Sequence, residues 1–185
     1  MLFQLQNKEP TNENPAAAVR RINTVSHRFT GHPNELLSKH IGQIEQGVFY
    51  HFWSFGRFAQ HDLLFYLLKQ IGPSNVDVAT WSICTEAIER ITRMKNDGRI
   101  NNIRFVLDPR VKVRNPLPLQ ILIKNFPYIL TPCHAKVTLI YNDDWKISVV
   151  TSQNMTKNPR IERGYISTTP DVFEFDKKVF DDIYR

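Results

Sequence analysis

The sequence is poor in cysteine and has no long apolar run, and each shortage excludes a class of protein. The 185 residues contain two cysteines, Cys84 and Cys133, which is too few for a disulfide framework and favours a reducing compartment. No stretch approaches the ~20 apolar residues of a membrane span. Residues 1–9 lack the basic and then apolar pattern of a signal peptide. We therefore expect a cytoplasmic protein with no membrane span.

The composition is that of a folded domain with an excess of positive charge. Hydrophobic residues make up 42% of the chain and charged residues 23%, which is typical of globular proteins. A chain of this length buries enough surface to fold as one domain without disulfides or a metal. Its 24 Lys and Arg residues exceed its 18 Asp and Glu residues, so the net charge is +6. This excess favours a polyanionic partner such as nucleic acid.

The first 45 residues differ from the rest of the chain. The polar, proline-containing beginning predicts an irregular arm, with a short helix over residues 16–21. Apolar residues at helical spacing predict an amphipathic helix within residues 31–46. We expect residues 1–45 to form an arm and helix that pack on a domain formed by residues 46–185.

A strand–helix–strand unit follows in that domain. Residues 75–82 alternate between apolar and polar, residues 85–97 have helical spacing before Gly98, and residues 102–107 are rich in β-branched and apolar side chains. This order with short links favours a parallel pair, and hence an α/β fold in which helices flank both faces of a mixed sheet. Further strands are predicted at 48–53, 134–141 and 146–152, helices at 62–70, 119–126 and 172–184, and a basic loop at 110–118.

Four polar side chains converge in the predicted hairpin. His134 and Lys136 lie two residues apart in one strand and project to the same side, and Ser152 and Asn154 do so at the end of the next strand. We expect the four to meet on one face. The alternative is a surface hairpin that carries a solvated lysine.

This set of groups suits a phosphodiester. Lys136 supplies a point charge to phosphate oxygens, while Ser152 and Asn154 supply neutral hydrogen bonds. A neutral imidazole such as that of His134 can attack phosphorus and form a covalent intermediate. It needs a partner to orient it, and Glu162 is our candidate. No metal is needed if protein cations neutralise the developing charge.

The same residues resemble the motif of the phospholipase D superfamily. His134-Ala135-Lys136 matches the family's His-x-Lys, Thr151-Ser152-Gln153-Asn154 is similar to its Gly-Ser-x-Asn, and Glu162 follows at about the family's spacing. The resemblance extends over residues 49–166. The chain departs from the pattern at Tyr141, where the family has Asp, and at Thr151, where it has Gly.

The resemblance implies a metal-independent phosphodiesterase, most simply an endonuclease that acts through a phosphohistidine. Because the motif occurs once, it also implies a homodimer in which two copies of His134 share one active site. Arg160 is a candidate contact to substrate, and no cofactor is expected. Two alternatives stay open, namely an inactive DNA- or phosphate-binding module with the same fold and a phosphodiesterase that acts on lipids.

Overall fold

A computed structural model describes residues 20–22 and 33–185 of the chain, which form one mixed β-sheet with helices on both faces. The strands are β1 (Arg20–Ile22), β2 (Phe49–Trp53), β3 (Ser74–Thr80), β4 (Ile100–Leu107), β5 (Tyr128–Leu130), β6 (Val137–Tyr141), β7 (Lys146–Thr151) and β8 (Arg163–Ser167). The helices are α1 (Pro33–His40), α2 (Gln60–Ile71), α3 (Thr85–Asn96), α4 (Val111–Arg114), α5 (Pro116–Asn125) and α6 (Pro170–Ile183). The predicted α/β fold with a mixed sheet is confirmed.

The eight strands are ordered β1-β2-β8-β7-β6-β3-β4-β5. Strands β3 and β4 are parallel and joined by α3, as the strand–helix–strand pattern predicted. The pairs β3–β6, β6–β7, β7–β8 and β8–β2 are antiparallel. A parallel half and an antiparallel half therefore meet between β3 and β6.

Helix α3 shows why the sequence folds this way. Its apolar residues Ala87, Ile88 and Ile91 recur at helical spacing and are completely buried against the sheet. The chain leaves the helix at Gly98, whose φ of 71° lies in the left-handed region that glycine adopts most easily. Full burial of a side chain the size of isoleucine contributes about 1.5–3 kcal/mol.

Helix α6 covers part of the opposite face. Phe173 and Phe180, two turns apart, pack on Ala79, Val106 and Leu139 of the central strands. The sheet is thus flanked by α1, α2, α3 and α5 on one side and by α6 on the other. Within the described ranges, no helix has the length and apolarity that a bilayer span requires.

Several strand ends meet at one edge of the sheet, which we call the site edge. The registers place the last residues of β2, β3, β4 and β7 beside the first residues of β6 and β8. The pair Trp53 and Arg163, and the pair Thr80 and Leu107, therefore lie at this edge. The segment that precedes β6 and the segment that follows β7 both leave the sheet here.

The structure corrects three predicted elements and adds strands that were not predicted. Strand β6 begins at Val137, so His134 and Lys136 are not strand residues. The predicted loop at 110–118 contains α4 and the first turn of α5, where Pro116 is accepted at the first helical position. Strands β5 and β8 were not predicted. The helix expected at 16–21 is wrong at Arg20 and Arg21, which lie in β1, and its other residues fall outside the described part of the chain.

Most of the predicted arm, residues 1–19 and 23–32, also lies outside the described residues. Helix α1, which the sequence predicts within residues 31–46, is shorter than expected, because the chain turns at Gly42 with a φ of 69°. Leu37 of α1 is 1% exposed and belongs to the main core, and α1 contacts α2. The boundary at residue 45 stays a prediction.

Candidate functional site

The His134–Lys136 segment lies immediately before β6 at the site edge. Lys136 is 7% exposed, and its ammonium donates a hydrogen bond to the main-chain oxygen of His134 at 2.6 Å. Burial lowers the pKa of Lys136, an effect that Cys133 and Glu162 partly oppose. The His134 side chain is exposed. The segment therefore carries an imidazole that is exposed to solvent and, two residues later, a buried lysine.

The end of β7 is tied directly to this segment. The Thr151 amide donates to the Lys136 carbonyl at 3.0 Å. The Thr151 side chain points inward, where its hydroxyl donates to the Arg163 carbonyl at 3.2 Å and accepts from the Gln153 amide at 3.1 Å. It lies opposite Gly164, where a Cβ would stand 2.8 Å from that of Thr151. Threonine at this motif position is thus accommodated by the neighbouring strand.

Ser152 and Glu162 are brought together at the mouth of the loop that links β7 to β8. The Ser152 hydroxyl donates to the Glu162 carboxylate, and the Asn158 amide donates to its other oxygen at 2.9 Å. Ser152 also accepts a hydrogen bond from the Arg163 amide at 3.1 Å. Within this chain, both Glu162 oxygens therefore bind loop residues, and its predicted role in orienting His134 stays a prediction.

Asn154 reaches across to the end of β3. Its side-chain oxygen lies 3.5 Å from the Thr80 hydroxyl, which donates its proton to the Ser82 carbonyl at 2.9 Å and accepts from the Met155 amide at 3.3 Å. In this arrangement the Asn154 side-chain oxygen faces Thr80. The NH2 group of Asn154 is then the donor that remains for a phosphate.

Arg160 is exposed on the same loop, and its guanidinium has no ion pair with a carboxylate among residues 33–185. The loop is held by a turn in which the Arg57 amide donates to the Ser54 carbonyl at 2.9 Å. Gly56 of that turn touches Pro159 so closely that a Cβ would stand 2.7 Å from the Pro159 Cα. The turn therefore positions the loop segment that carries Arg160.

Sequence reasoning missed Trp81, which follows β3. Its ring meets the His134 ring edge-on, with 5.9 Å between centroids. The guanidinium carbons of Arg114 and Arg110 lie 4.5 Å and 5.3 Å from the Trp81 centroid. The available signal was its place just past the carboxyl end of a parallel strand, where α/β folds carry their sites.

Sequence reasoning also missed Asp108, which follows the last residue of β4. Its carboxylate accepts from the Cys133 amide at 3.2 Å and binds the Arg110 guanidinium at 2.6 and 2.9 Å. Hydrogen bonds from Arg110 hold the pKa of Asp108 well below its usual range. Asp108 thus fixes the main chain next to His134.

Tyr141 lies away from this group of residues. It is the last residue of β6, at the opposite edge of the sheet, with its ring 5.3 Å from that of Phe173. The departure at Tyr141 therefore concerns packing under α6.

At the site edge stand an imidazole, a buried ammonium, a hydroxyl, an amide and exposed guanidinium groups, a set that can bind and attack a phosphodiester. Residues 20–22 and 33–185 contain no cluster of His, Cys, Asp and Glu that could hold a metal.

Comparisons with known proteins find structural similarity only. No protein-family model matches the sequence, and no curated protein is significantly similar to it. Polyphosphate kinase from Porphyromonas gingivalis aligns over 73% of this chain and 26% of its own length, with a TM-score of 0.57 and 12% identity. A phospholipase D family member, Nuc from Salmonella typhimurium, aligns over 74% of this chain and 93% of its own, with a TM-score of 0.55 and 15% identity. At these identities the similarity concerns the fold alone.

Proposed function

We propose that this chain, whose fold is that of the phospholipase D superfamily, hydrolyses phosphodiester bonds without a metal ion. The observation that carries the proposal is the convergence at the site edge of His134, the buried Lys136 ammonium and the Asn154 amide. The Lys136 carbonyl and the Thr151 amide hold the two segments together at 3.0 Å. This fold and these groups together favour phosphodiester chemistry over a solvated hairpin.

Lys136 and Asn154 bind the phosphate in this proposal. The Lys136 ammonium uses one proton on the His134 carbonyl, which leaves two donors for phosphate oxygens. Because the ammonium is buried, its charge is weakly screened and its interaction with a phosphate is strengthened. Ser152 assists, with its hydroxyl held by Glu162. Arg160 binds a neighbouring phosphate of a polymeric substrate.

His134 is the nucleophile. One imidazole nitrogen forms a bond to phosphorus as the bond from phosphorus to the leaving oxygen breaks, and an acid protonates that oxygen. A water molecule then attacks the phosphohistidine and gives its proton to the group that acted as the acid. The nitrogen–phosphorus bond breaks, which restores the imidazole and releases a phosphomonoester.

The acid in this scheme is His134 of a second copy of the chain, so that one active site forms per homodimer. The motif occurs once in the sequence, and a two-fold axis would bring equivalent residues of two copies together. Exposed apolar side chains near the site edge, Val113, Leu117 and Ile161, are 85%, 57% and 63% exposed and suit burial between copies.

The shared site can be tested by mixing. Wild-type protein is allowed to exchange subunits with an increasing share of His134→Ala protein. Activity should fall with the square of the wild-type fraction, because mixed dimers hold one imidazole. Exchange with Lys124→Gln, a surface change on α5, should leave activity unchanged. A linear fall, or a monomer in sedimentation at micromolar concentration, would exclude the shared site.

Nucleic acid is the proposed substrate, since the chain carries a net charge of +6 and exposed cations at the site edge. The first assay is hydrolysis of bis(p-nitrophenyl) phosphate in EDTA by wild type and His134→Ala. Turnover that survives EDTA and disappears in the variant supports the mechanism. Cleavage of DNA but not of phosphatidylcholine vesicles then supports a nuclease. Salt-dependent DNA binding by a folded protein without turnover would identify an inactive binding module instead.

A further inference from the structure

Two tryptophan–arginine pairs lie at the site edge. On one side, the Arg114 guanidinium carbon stands 4.5 Å from the Trp81 ring centroid. On the other, that of Arg163 stands 5.9 Å from the Trp53 centroid. Trp53 is 41% exposed, and the side chains of Arg114 and Arg163 are exposed. Trp81 is half-buried, with its indole Nε1 buried, so neither ring is fully enclosed in the core.

The two pairs stand on opposite sides of the candidate catalytic residues. Trp53 ends β2 and Trp81 follows β3, and the strands between them in the sheet are β8, β7 and β6. Four interstrand steps of about 4.8 Å separate them by roughly 19 Å. That distance corresponds to about five or six nucleotides at a stacked rise of ~3.4 Å, and to fewer in an extended strand. His134, Lys136, Ser152 and Asn154 lie between the two rings.

The charge at this edge is also suited to a polymer of phosphates. Lys112, Arg114, Arg160 and Arg163 are exposed, and none of them forms an ion pair with a carboxylate in the described part of the chain. Arg110, by contrast, is neutralised by Asp108. Unpaired guanidinium groups beside aromatic rings provide both phosphate contacts and flat faces for bases.

We propose that Trp53 and Trp81 are stacking platforms for unpaired bases on either side of the scissile phosphate, so that the substrate is single-stranded nucleic acid. This inference rests on the proposed phosphodiesterase function and specifies its substrate class. Bases of a duplex are stacked on one another and present only their edges in the grooves. A ring at the end of a strand can accept the face of a base only when that base is unpaired.

The test measures binding separately from turnover. The parent protein is His134→Ala, and its affinity for a fluorescent oligothymidylate of about twelve nucleotides is compared with that for the corresponding duplex by anisotropy. Trp53→Leu and Trp81→Leu remove each ring, whereas Trp53→Phe and Trp81→Phe retain a smaller one. Trp145→Leu is the matched control, because Trp145 lies in the β6–β7 turn at the opposite edge.

We expect the parent to prefer the single strand, and each leucine variant to weaken its binding about tenfold or more. The phenylalanine variants should recover most of the affinity, and Trp145→Leu should leave it unchanged. Arg114→Gln should lower the slope of log affinity against log salt by ~0.7, the value for one phosphate contact on a single strand. Lys124→Gln should not change that slope.

Leucine variants that bind like the parent, phenylalanine variants that recover nothing, or a preference for duplex would each overturn the inference. If a leucine variant fails to fold by circular dichroism, tryptophan fluorescence of the parent decides. Quenching by oligothymidylate supports stacking, and no quenching at saturation overturns it. Because binding is measured in His134→Ala, this pattern can appear without catalysis, and wild-type turnover without this pattern would overturn the stacking inference alone.

Discussion

The Lys136 ammonium donates to the carbonyl oxygen of His134, two residues earlier, at 2.6 Å. The two side chains differ in their surroundings, since Lys136 is buried and His134 is exposed. The hydrogen bond couples the proposed phosphate-binding group to the main chain of the proposed nucleophile. The charge on Lys136 is therefore retained at an energetic cost, since burying an ammonium is unfavourable.

Replacing Lys136 by methionine should separate function from stability. We expect Lys136→Met to lose about a hundredfold or more of the phosphodiesterase activity, by analogy with the loss of one preorganised transition-state donor. Its melting temperature should stay the same or rise, because an apolar chain of similar size removes the desolvation cost. Calorimetry and turnover of bis(p-nitrophenyl) phosphate measure the two effects. Exposed Lys124→Met is the control, and a fall of more than about 4 °C in the Lys136 variant would show a structural role.

His61 should make the protein sensitive to mild acid. It is completely buried, and neither ring nitrogen has a hydrogen-bond partner among the described residues. Burial lowers its pKa, although Asp62 partly opposes this. Below about pH 6.5 the imidazole of His61 takes up a proton in the unfolded chain, whereas burial opposes its protonation in the folded chain. The free energy of unfolding should therefore decrease as the pH is lowered through this range.

His61→Leu should remove this dependence. Urea unfolding between about pH 8 and about pH 5 measures it, with an upper limit of ~1.4 kcal/mol per pH unit for one proton. The leucine variant should lose less stability than wild type over that range, and it should be at least as stable at low pH, because an unpartnered buried imidazole is replaced. Parallel pH curves for the two proteins would show that His61 is not the group responsible.

Asp108 should contribute stability at neutral pH that is lost in stronger acid. Its pKa is held down by Arg110. A carboxyl of this kind stabilises the fold fully above its unfolded pKa of about 3.9, and less as the pH falls toward the folded value. We expect Asp108→Asn to melt at a lower temperature than wild type at neutral pH, and the difference to shrink below about pH 4. Exposed Asp143→Asn is the control. A difference in melting temperature between Asp108→Asn and wild type that does not change with pH would show that ionisation of Asp108 is not its cause.

Gly164 should tolerate no side chain. A Cβ there would stand 2.6 Å from both the Phe52 ring and the Val150 carbonyl oxygen, and 2.8 Å from the Thr151 Cβ. The carbonyl belongs to β7 and cannot move without disturbing its pairing with β8. We expect Gly164→Ala to lower the free energy of unfolding by about 1–3 kcal/mol. Chemical denaturation measures it, and an unchanged midpoint would mean that the strands adjust.

Regular elements were predictable where side-chain periodicity is strong. The alternation in β3 and the apolar spacing of α3 follow directly from burial on one face. Strand β8 was missed because its five residues include Arg163 and Gly164, which interrupt the run of β-branched and apolar side chains expected of a strand. The helix predicted at 119–126 matches most of α5, whereas the residues of α4 and the first turn of α5 were predicted as a loop because Pro116 and Pro118 usually interrupt helices. The first turn of a helix accepts proline.

The candidate site was predictable by type but not by geometry. Alternation placed His134 and Lys136 on one face of a strand, but that reasoning was wrong because β6 begins only at Val137. Trp81 and Asp108 could not be found by motif spacing, since they come from distant parts of the sequence. The order of the strands brings Trp81 to the His134 ring and Asp108 to the Cys133 amide. Tertiary contacts of this kind are not encoded in any local pattern.

The loop that carries Ser152, Asn154, Arg160 and Glu162 begins and ends on adjacent strands, and its base is closed by the Ser152 amide and the Arg163 carbonyl at 2.9 Å. Its length can therefore change without shifting the register of β7 and β8. The entropic cost of extra loop residues rises only with the logarithm of their number. New substrate preferences can thus evolve, or be grafted by exchanging residues 156–161 of this loop, while Ser152, Asn154, Glu162 and the sheet that positions the proposed nucleophile are kept.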